Sequence, residues 1–288
     1  MKKNMLRLAG ALLLSHQLAQ AAPEPPPPLS SYFPDIGPNA TIISEIHDGA
    51  SIALVGLLTS DATASVQNIL RKKNSIRALY IDSPGGDVPA GMALAELVRQ
   101  HKLRLVVSGR CLSACANYVF TAALRKDVLP GSLVGIHGTS YSSTVGARTL
   151  TVNARDTDKL VAASGDASLG AIIAALNKSE HDFYAKFGIS TRYHDAFNRY
   201  TEQRAARGAT TGGCPAFDFW VLRRKDLENM GVTGMGAVWE PGDKAMAGKA
   251  AARLGLGTKA VFLGDAAALA AQCQPAPGFM AKLRALFG

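Results

Sequence analysis

Apolar residues along the first half of the chain fall in short blocks separated by polar or helically spaced segments. Ser51-Ile-Ala-Leu-Val-Gly-Leu-Leu58, Ile76-Arg-Ala-Leu-Tyr-Ile81, residues 103–107 and Leu133-Val-Gly-Ile136 each have the length and apolar content of a buried strand. Between the first two, Thr59, Ser60 and Asp61 supply capping side chains, and Val66, Ile69 and Leu70 then repeat at a helical interval. Met92, Leu94, Ala95, Leu97 and Val98 do the same after the second, and an apolar helix-like stretch follows Ser113 after the third. Strand and helix alternating with short connections predict an α/β fold, a largely parallel sheet covered by helices.

The pattern then changes. Residues 139–154 are rich in Ser, Thr and Gly and predict a loop or small hairpin. Residues 156–187 and 190–206 read as helices broken near Gly188. Residues 205–215 read as a loop, and residues 217–230 are mixed and end at Gly231. The sequence divides into 1–21, a leader; 22–40, a Pro-rich linker outside the packed core; 41–240, one α/β domain with a helical insertion at about 156–206; and 241–288, an Ala/Gly-rich C-terminal tail.

The leader has a basic start at Lys2, Lys3 and Arg7, a short apolar run and small residues at Ala19, Ala21 and Ala22. These are the parts of a secretory signal peptide cleaved near Ala21/Ala22. An uncleaved N-terminal anchor is the rival reading, but the run is short for a lasting membrane span. The expectation is an exported chain, periplasmic or secreted. Export suits the four cysteines, Cys111, Cys115, Cys214 and Cys273, as disulfide candidates. Three pairings are open; one closes a small loop of Cys111 and Cys115 around Ser113 and leaves Cys214 with Cys273. No cysteine or histidine cluster has zinc spacing, so neither a metal nor another cofactor is expected. The net charge is +9, but Arg71-Lys-Lys73 and Arg223-Arg-Lys225 are short and not interleaved with aromatics. They read as solvated helix ends, with no nucleic-acid partner.

The chemistry concentrates in three places. Ser113 stands between an apolar strand and an apolar helix. Ser83-Pro-Gly-Gly86 lies upstream, and His137 downstream in Val134-Gly-Ile-His-Gly138. A serine at a strand-to-helix turn lies beside free backbone N–H groups, and a histidine titrates in the range needed to take its proton. The N–H groups of Gly86 and Ala114 are the candidate oxyanion donors. His47 precedes the first strand, His101 closes a helix, and His181 and His194 fall on polar helical stretches; all four read as surface residues.

Residues 51–138 resemble the proteolytic subunit of the Clp protease and, more broadly, the Clp/crotonase superfamily. The pieces carrying the likeness are Ile52-Ala-Leu-Val-Gly-Leu-Leu58, Leu79-Tyr-Ile-Asp-Ser-Pro-Gly-Gly-Asp87, Ala90-Gly-Met92, Val106-Val-Ser-Gly-Arg-Cys-Leu-Ser-Ala114 and Gly135-Ile-His-Gly138. An exported Clp-like group with Ser-Ala-Cys-Ala at the nucleophile is the nearest likeness. The resemblance implies a spiral of β-β-α units, a serine peptidase with Ser113 as nucleophile and His137 as base, and assembly into homo-oligomers. It implies a peptide or unfolded protein as substrate, laid as an added strand near Gly85, Asp87 and Val88. It also implies an acid before a helix that ends in a Gly-Leu-Val-like step; Gly231-Val232 stands for that step and Asp218 is the nearest aspartate. A Ser–His dyad without an acid is the alternative. The chain has no Gly-x-Ser-x-Gly elbow and no P-loop, so it would act without an ATPase of its own. Two rival functions are a catalytically degenerate Clp-like scaffold of the cell envelope and crotonase-type chemistry on an acyl thioester; export argues against the second.

Overall fold

Continuous burial along the central strands shows that the sheet is covered on both faces. In the strand Ser51–Gly56 every residue is buried, Ile52 and Leu54 in the main core and Ala53 and Val55 in a second cluster on the opposite face. The computed structural model describes residues 24–273 except 35, 38, 139, 146–147, 154–156, 208–213 and 259, so the leader and residues 274–288 lie outside the described residues. In chain order the elements are β1 (Thr41–Ile46), β2 (Ser51–Gly56), α1 (Ser60–Lys72), β3 (Ala78–Ser83), α2 (Val88–Gln100), β4 (Arg104–Leu112), a π-helical turn (Cys115–Phe120), β5 (Arg125–Val128) and β6 (Leu133–Ile136). Next come β7 (Ser140–Val145), β8 (Arg148–Asn153), α3 (Thr157–Ser164), α4 (Ala167–Phe187) and α5 (Arg192–Arg207). The chain continues through β9 (Phe219–Val221), α6 (Arg224–Asn229), β10 (Met235–Val238), α7 (Lys244–Arg253), β11 (Val261–Leu263) and α8 (Ala266–Ala271).

The main sheet runs β1-β2-β3-β4-β6-β9-β11, with β5 beside β4 and β10 beside β5. β2, β3, β4 and β6 are parallel; β1 and β9 join antiparallel. β4 changes neighbour along its length, pairing with β5 at Arg104–Val107 and with β6 at Arg110–Leu112. The fold is therefore the mixed α/β sheet with helical cover that the hydrophobic pattern predicts. β7 and β8 form the hairpin expected in the Ser/Thr/Gly-rich stretch. Thr59 caps α1 by accepting from the Ala62 N–H at 3.1 Å.

Two expectations are corrected. The Pro-rich segment is not a free spacer: Leu29 is only 8% exposed and packs on Ala53 and Val55, covering the second face of β2. The Arg253 guanidinium donates to the carbonyls of Pro25, at 2.8 Å, and Pro26, and the Ser30 N–H donates to Asp82 Oδ2 at 3.1 Å. Pro lacks an N–H, so only its carbonyl is open to a neighbour. Residues 241–273 are not an appendage either. β11 extends the sheet in parallel with β9, and α7 packs Ala247, Ala250 and Ala251 on Leu133, Val221, Val261 and Leu263. The small residues let that helix lie close to the sheet.

Lys126 on β5 is 1% exposed, and its Nζ donates to the Thr121 carbonyl at 3.1 Å. Burial, aided by the nearby Arg99 charge, pushes its pKa down from 10.5 to about 7. The unfolded chain therefore holds this proton between pH 7 and 10.5 where the folded chain has released it, so stability rises with pH across that window. The stability difference between wild type and Lys126→Met, measured by urea unfolding, is expected to change by about 4 kcal/mol at most from pH 7 to pH 10. Parallel pH profiles for the two proteins would contradict this.

Candidate active site

Three strands bring their C-terminal ends together, and the residues just beyond those ends build the site. Ser113 comes after β4, Gly85 and Gly86 after β3, and His137 after β6, whose Gly135 pairs with Leu112. Adjacent parallel strands place their outgoing loops side by side, so residues distant in sequence meet here.

Ser113 has a φ of +54°. A left-handed conformation is uncommon for a residue with a Cβ and is found where surrounding structure holds it. Here the Ser113 N–H donates to the Gly135 carbonyl at 3.1 Å, and its carbonyl accepts from the Asn117 N–H at 2.7 Å. Cys111 and Cys115 form a disulfide across it, both fully buried, tying the end of β4 to the first turn of the π-helical segment. The second disulfide joins Cys214 and Cys273. Of the three pairings the sequence allows, this is the one with the small loop around Ser113.

His137 Nε2 lies 2.7 Å from Ser113 Oγ. Its Nδ1 faces the carbonyl oxygen of Gly138. A carbonyl can only accept, so Nδ1 carries the proton and Nε2 is free to accept from the serine hydroxyl. That is the tautomer a general base requires. Burial pushes the His137 pKa below its usual 6.5, partly offset by the Gly138 carbonyl. A neutral carbonyl stabilises an imidazolium less than a carboxylate would.

Gly85 has a φ of +104°, and a Cβ there would come within 2.5 Å of the Ser113 Cβ. It is buried against the nucleophile, and its missing Cβ lets the end of β3 and Ser113 approach. Gly86 is exposed. Its bridge to Leu58 is carried by the Gly85 carbonyl and the Asp87 N–H, at 2.8 and 2.9 Å. The Gly86 N–H takes no part in that bridge. Asp87 is exposed and Val88 half-buried at the start of α2.

Asp218 does not join the site. It is exposed just before β9, and among the described residues no hydrogen bond links it to His137. Its neighbour Phe219 instead puts a ring 5.8 Å from the imidazole. In an antiparallel β9 the side chain that turns toward β6 is set by register, which spacing alone does not reveal.

Three further residues surround the dyad without a clear mark in the sequence. Asn117 Nδ2 donates to the His137 carbonyl at 3.2 Å; its signal is the i, i+4 relation to Ser113 on a helical segment. Asn198 on α5 packs so closely on Gly138 that a Cβ there would lie 1.6 Å from Asn198 Oδ1. His194, one turn earlier on α5, is 4% exposed rather than on the surface. Burial and then the His137 charge push its pKa down to about 3, and Tyr184 Oη lies 3.3 Å from its Nε2. His194 and Asn198 lie on the buried side of α5, which only its packing identifies.

A family model described as Clp protease matches residues 39–166, a span holding Ser113 and His137 but not Asp218 or α5. The ATP-dependent Clp protease proteolytic subunit 2 of Treponema pallidum (strain Nichols) is 29% identical over 110 residues, which cover 35% of this chain and 55% of that protein. The chain thus spans about half the length of the curated relative it matches. Among solved structures, a ClpP1 mutant from Listeria monocytogenes is similar over 31% of this chain and 57% of that one, with 23% identity and a TM-score of 0.29. Among the described residues no helix is long and apolar enough to cross a membrane, and no group of three or more metal-ligating side chains occurs.

Proposed function

We propose that this chain, Clp protease-like over residues 39–166, is an exported serine peptidase working with a Ser–His dyad. The observation that carries this reading is the 2.7 Å contact between His137 Nε2 and Ser113 Oγ, with Nδ1 proton-bearing. In this reading an extended peptide lies beside Gly86, Asp87 and Val88. Ser113 Oγ attacks the scissile carbonyl as His137 takes its proton. The N–H groups of Gly86 and Ala114 hold the oxyanion, each worth about 3 kcal/mol in known hydrolases. The imidazolium then protonates the leaving amine, and water, deprotonated by His137, releases the acyl group. Short or unfolded peptides are the substrates, with no ATPase in this chain. Homo-oligomer formation through the α3–α5 insertion belongs to the same reading.

The Gly138 carbonyl at Nδ1, in place of a carboxylate, favours a second reading: a Clp-like scaffold that no longer turns over substrate. A fluorophosphonate probe separates the two. The folded chain lacking residues 1–21 is expected to be labelled on the peptide containing Ser113. The labelling rate is expected to fall to half below pH 6.5, since only the neutral imidazole is a base and burial lowers its pKa. Absence of labelling in folded protein supports the scaffold, and a midpoint above 6.5 contradicts the assigned surroundings of His137.

A further inference from the structure

A cavity of about 800 Å³ lies between the first half of α5, α6, the start of α7 and the junction of β11 with α8. Five cations line it: Arg192 and Arg199 from α5, Arg223 and Lys225 at the start of α6, and Lys244 at the start of α7. Arg192 and Arg199 are two helical turns apart and share a face. Among the described residues none of the five is ion-paired with a carboxylate. The lining also contains the carboxylates Asp226 and Asp265, which keep their charge, so five cations stand against two anions. Asp226 accepts from the Tyr193 hydroxyl at 3.0 Å and the Arg223 N–H at 3.4 Å, and Asp265 from the Ala268 N–H at 2.7 Å.

In sequence the basic residues of this region look like separate solvated helix ends. The fold gathers them around one concavity, where the excess of cations over carboxylates leaves a positive field that favours an anion. The volume falls in the range of small-molecule sites, roughly 300–1,000 Å³. Three guanidinium groups offer forked donors that match tetrahedral oxyanions. Because the cations come from three helices, an anion with several charged groups can contact more of them than a singly charged one.

We propose that this cavity binds a soluble small molecule carrying two or more phosphate groups. The site stands independently of the peptidase reading, since neither Ser113 nor His137 lines it. Titration calorimetry of the chain lacking residues 1–21 with inorganic tripolyphosphate, at about 150 mM salt to screen exposed charges, is expected to show a one-to-one complex. In the Arg199→Ala/Lys225→Ala/Lys244→Ala variant the affinity is expected to fall by at least about tenfold, with Lys244→Ala alone giving a smaller loss should the triple variant fold poorly. Citrate at matched ionic strength is expected to bind more weakly. Equal affinity in wild type and variants would falsify the site, and citrate binding as tightly would overturn the phosphate class. Vesicles containing phosphatidic acid provide the last arm: binding to them without binding to soluble tripolyphosphate overturns the small-molecule form.

Discussion

Replacing His137 with alanine is expected to slow fluorophosphonate acylation of Ser113 by about 10³-fold, while Asp218→Ala leaves the rate unchanged. The first effect comes from the loss of the group that, 2.7 Å from Ser113 Oγ, can take its proton. Without it the serine must react as a free alcohol, which is a weak nucleophile at neutral pH. The second comes from where Asp218 stands: exposed, with its backbone N–H bonded to the Ala260 carbonyl and its side chain outside the dyad. Rates come from quenched gel assays of probe incorporation, with circular dichroism to show that both variants fold. A large loss in Asp218→Ala restores the carboxylate to the mechanism and removes the dyad. An unchanged rate in His137→Ala removes His137 as the base.

Deleting the two disulfides is expected to have opposite signatures. Cys111 and Cys115 are four positions apart, Cys214 and Cys273 fifty-nine. In the chain-entropy account the short loop contributes about 2 kcal/mol of stability and the long one about 4 kcal/mol. The short bridge, however, spans Ser113 in its left-handed conformation and joins the strand that presents it to the helix beyond. Without it the hydroxyl has freedom to leave the 2.7 Å contact with His137, and displacement of about 1 Å lowers such rates about 10²-fold. Cys111→Ser/Cys115→Ser is therefore expected to label Ser113 about 10²-fold more slowly while losing less stability. Cys214→Ser/Cys273→Ser is expected to lose more stability while labelling at the wild-type rate below its transition. Urea unfolding and labelling kinetics on both variants check this. Wild-type labelling in the first variant would show that packing alone holds the nucleophile.

Legibility tracks the range of the interactions. β2, β3, β4 and β6 are readable because each is an apolar block bounded by turn or capping residues. β1, β5, β9, β10 and β11 are not. β1 is half-buried and polar at Ser44 and Glu45, β5 carries Arg125, Lys126 and Asp127, and β9 and β11 have three residues each. Their pairing is decided by the neighbours they meet, not by their own composition. Lys126 shows the conflict most sharply, a charged residue type at a fully buried position. The Pro-rich segment misleads for a related reason: its stiffness is legible, but not that Leu29 finds Ala53 and Val55 uncovered.

Local pattern and spacing within residues 51–138 are enough to place the order of the central elements, the nucleophile turn at Ser113, the glycine corner and the histidine. The surroundings of that histidine come from packing instead. The Gly138 carbonyl, Asn117 and Asn198 gather around it from three separate segments, and Asp218 ends outside. Packing likewise brings five scattered cations to one cavity. A hydrogen-bond partner and a cavity wall are relations across space between elements, and the spacing along one element carries no record of them.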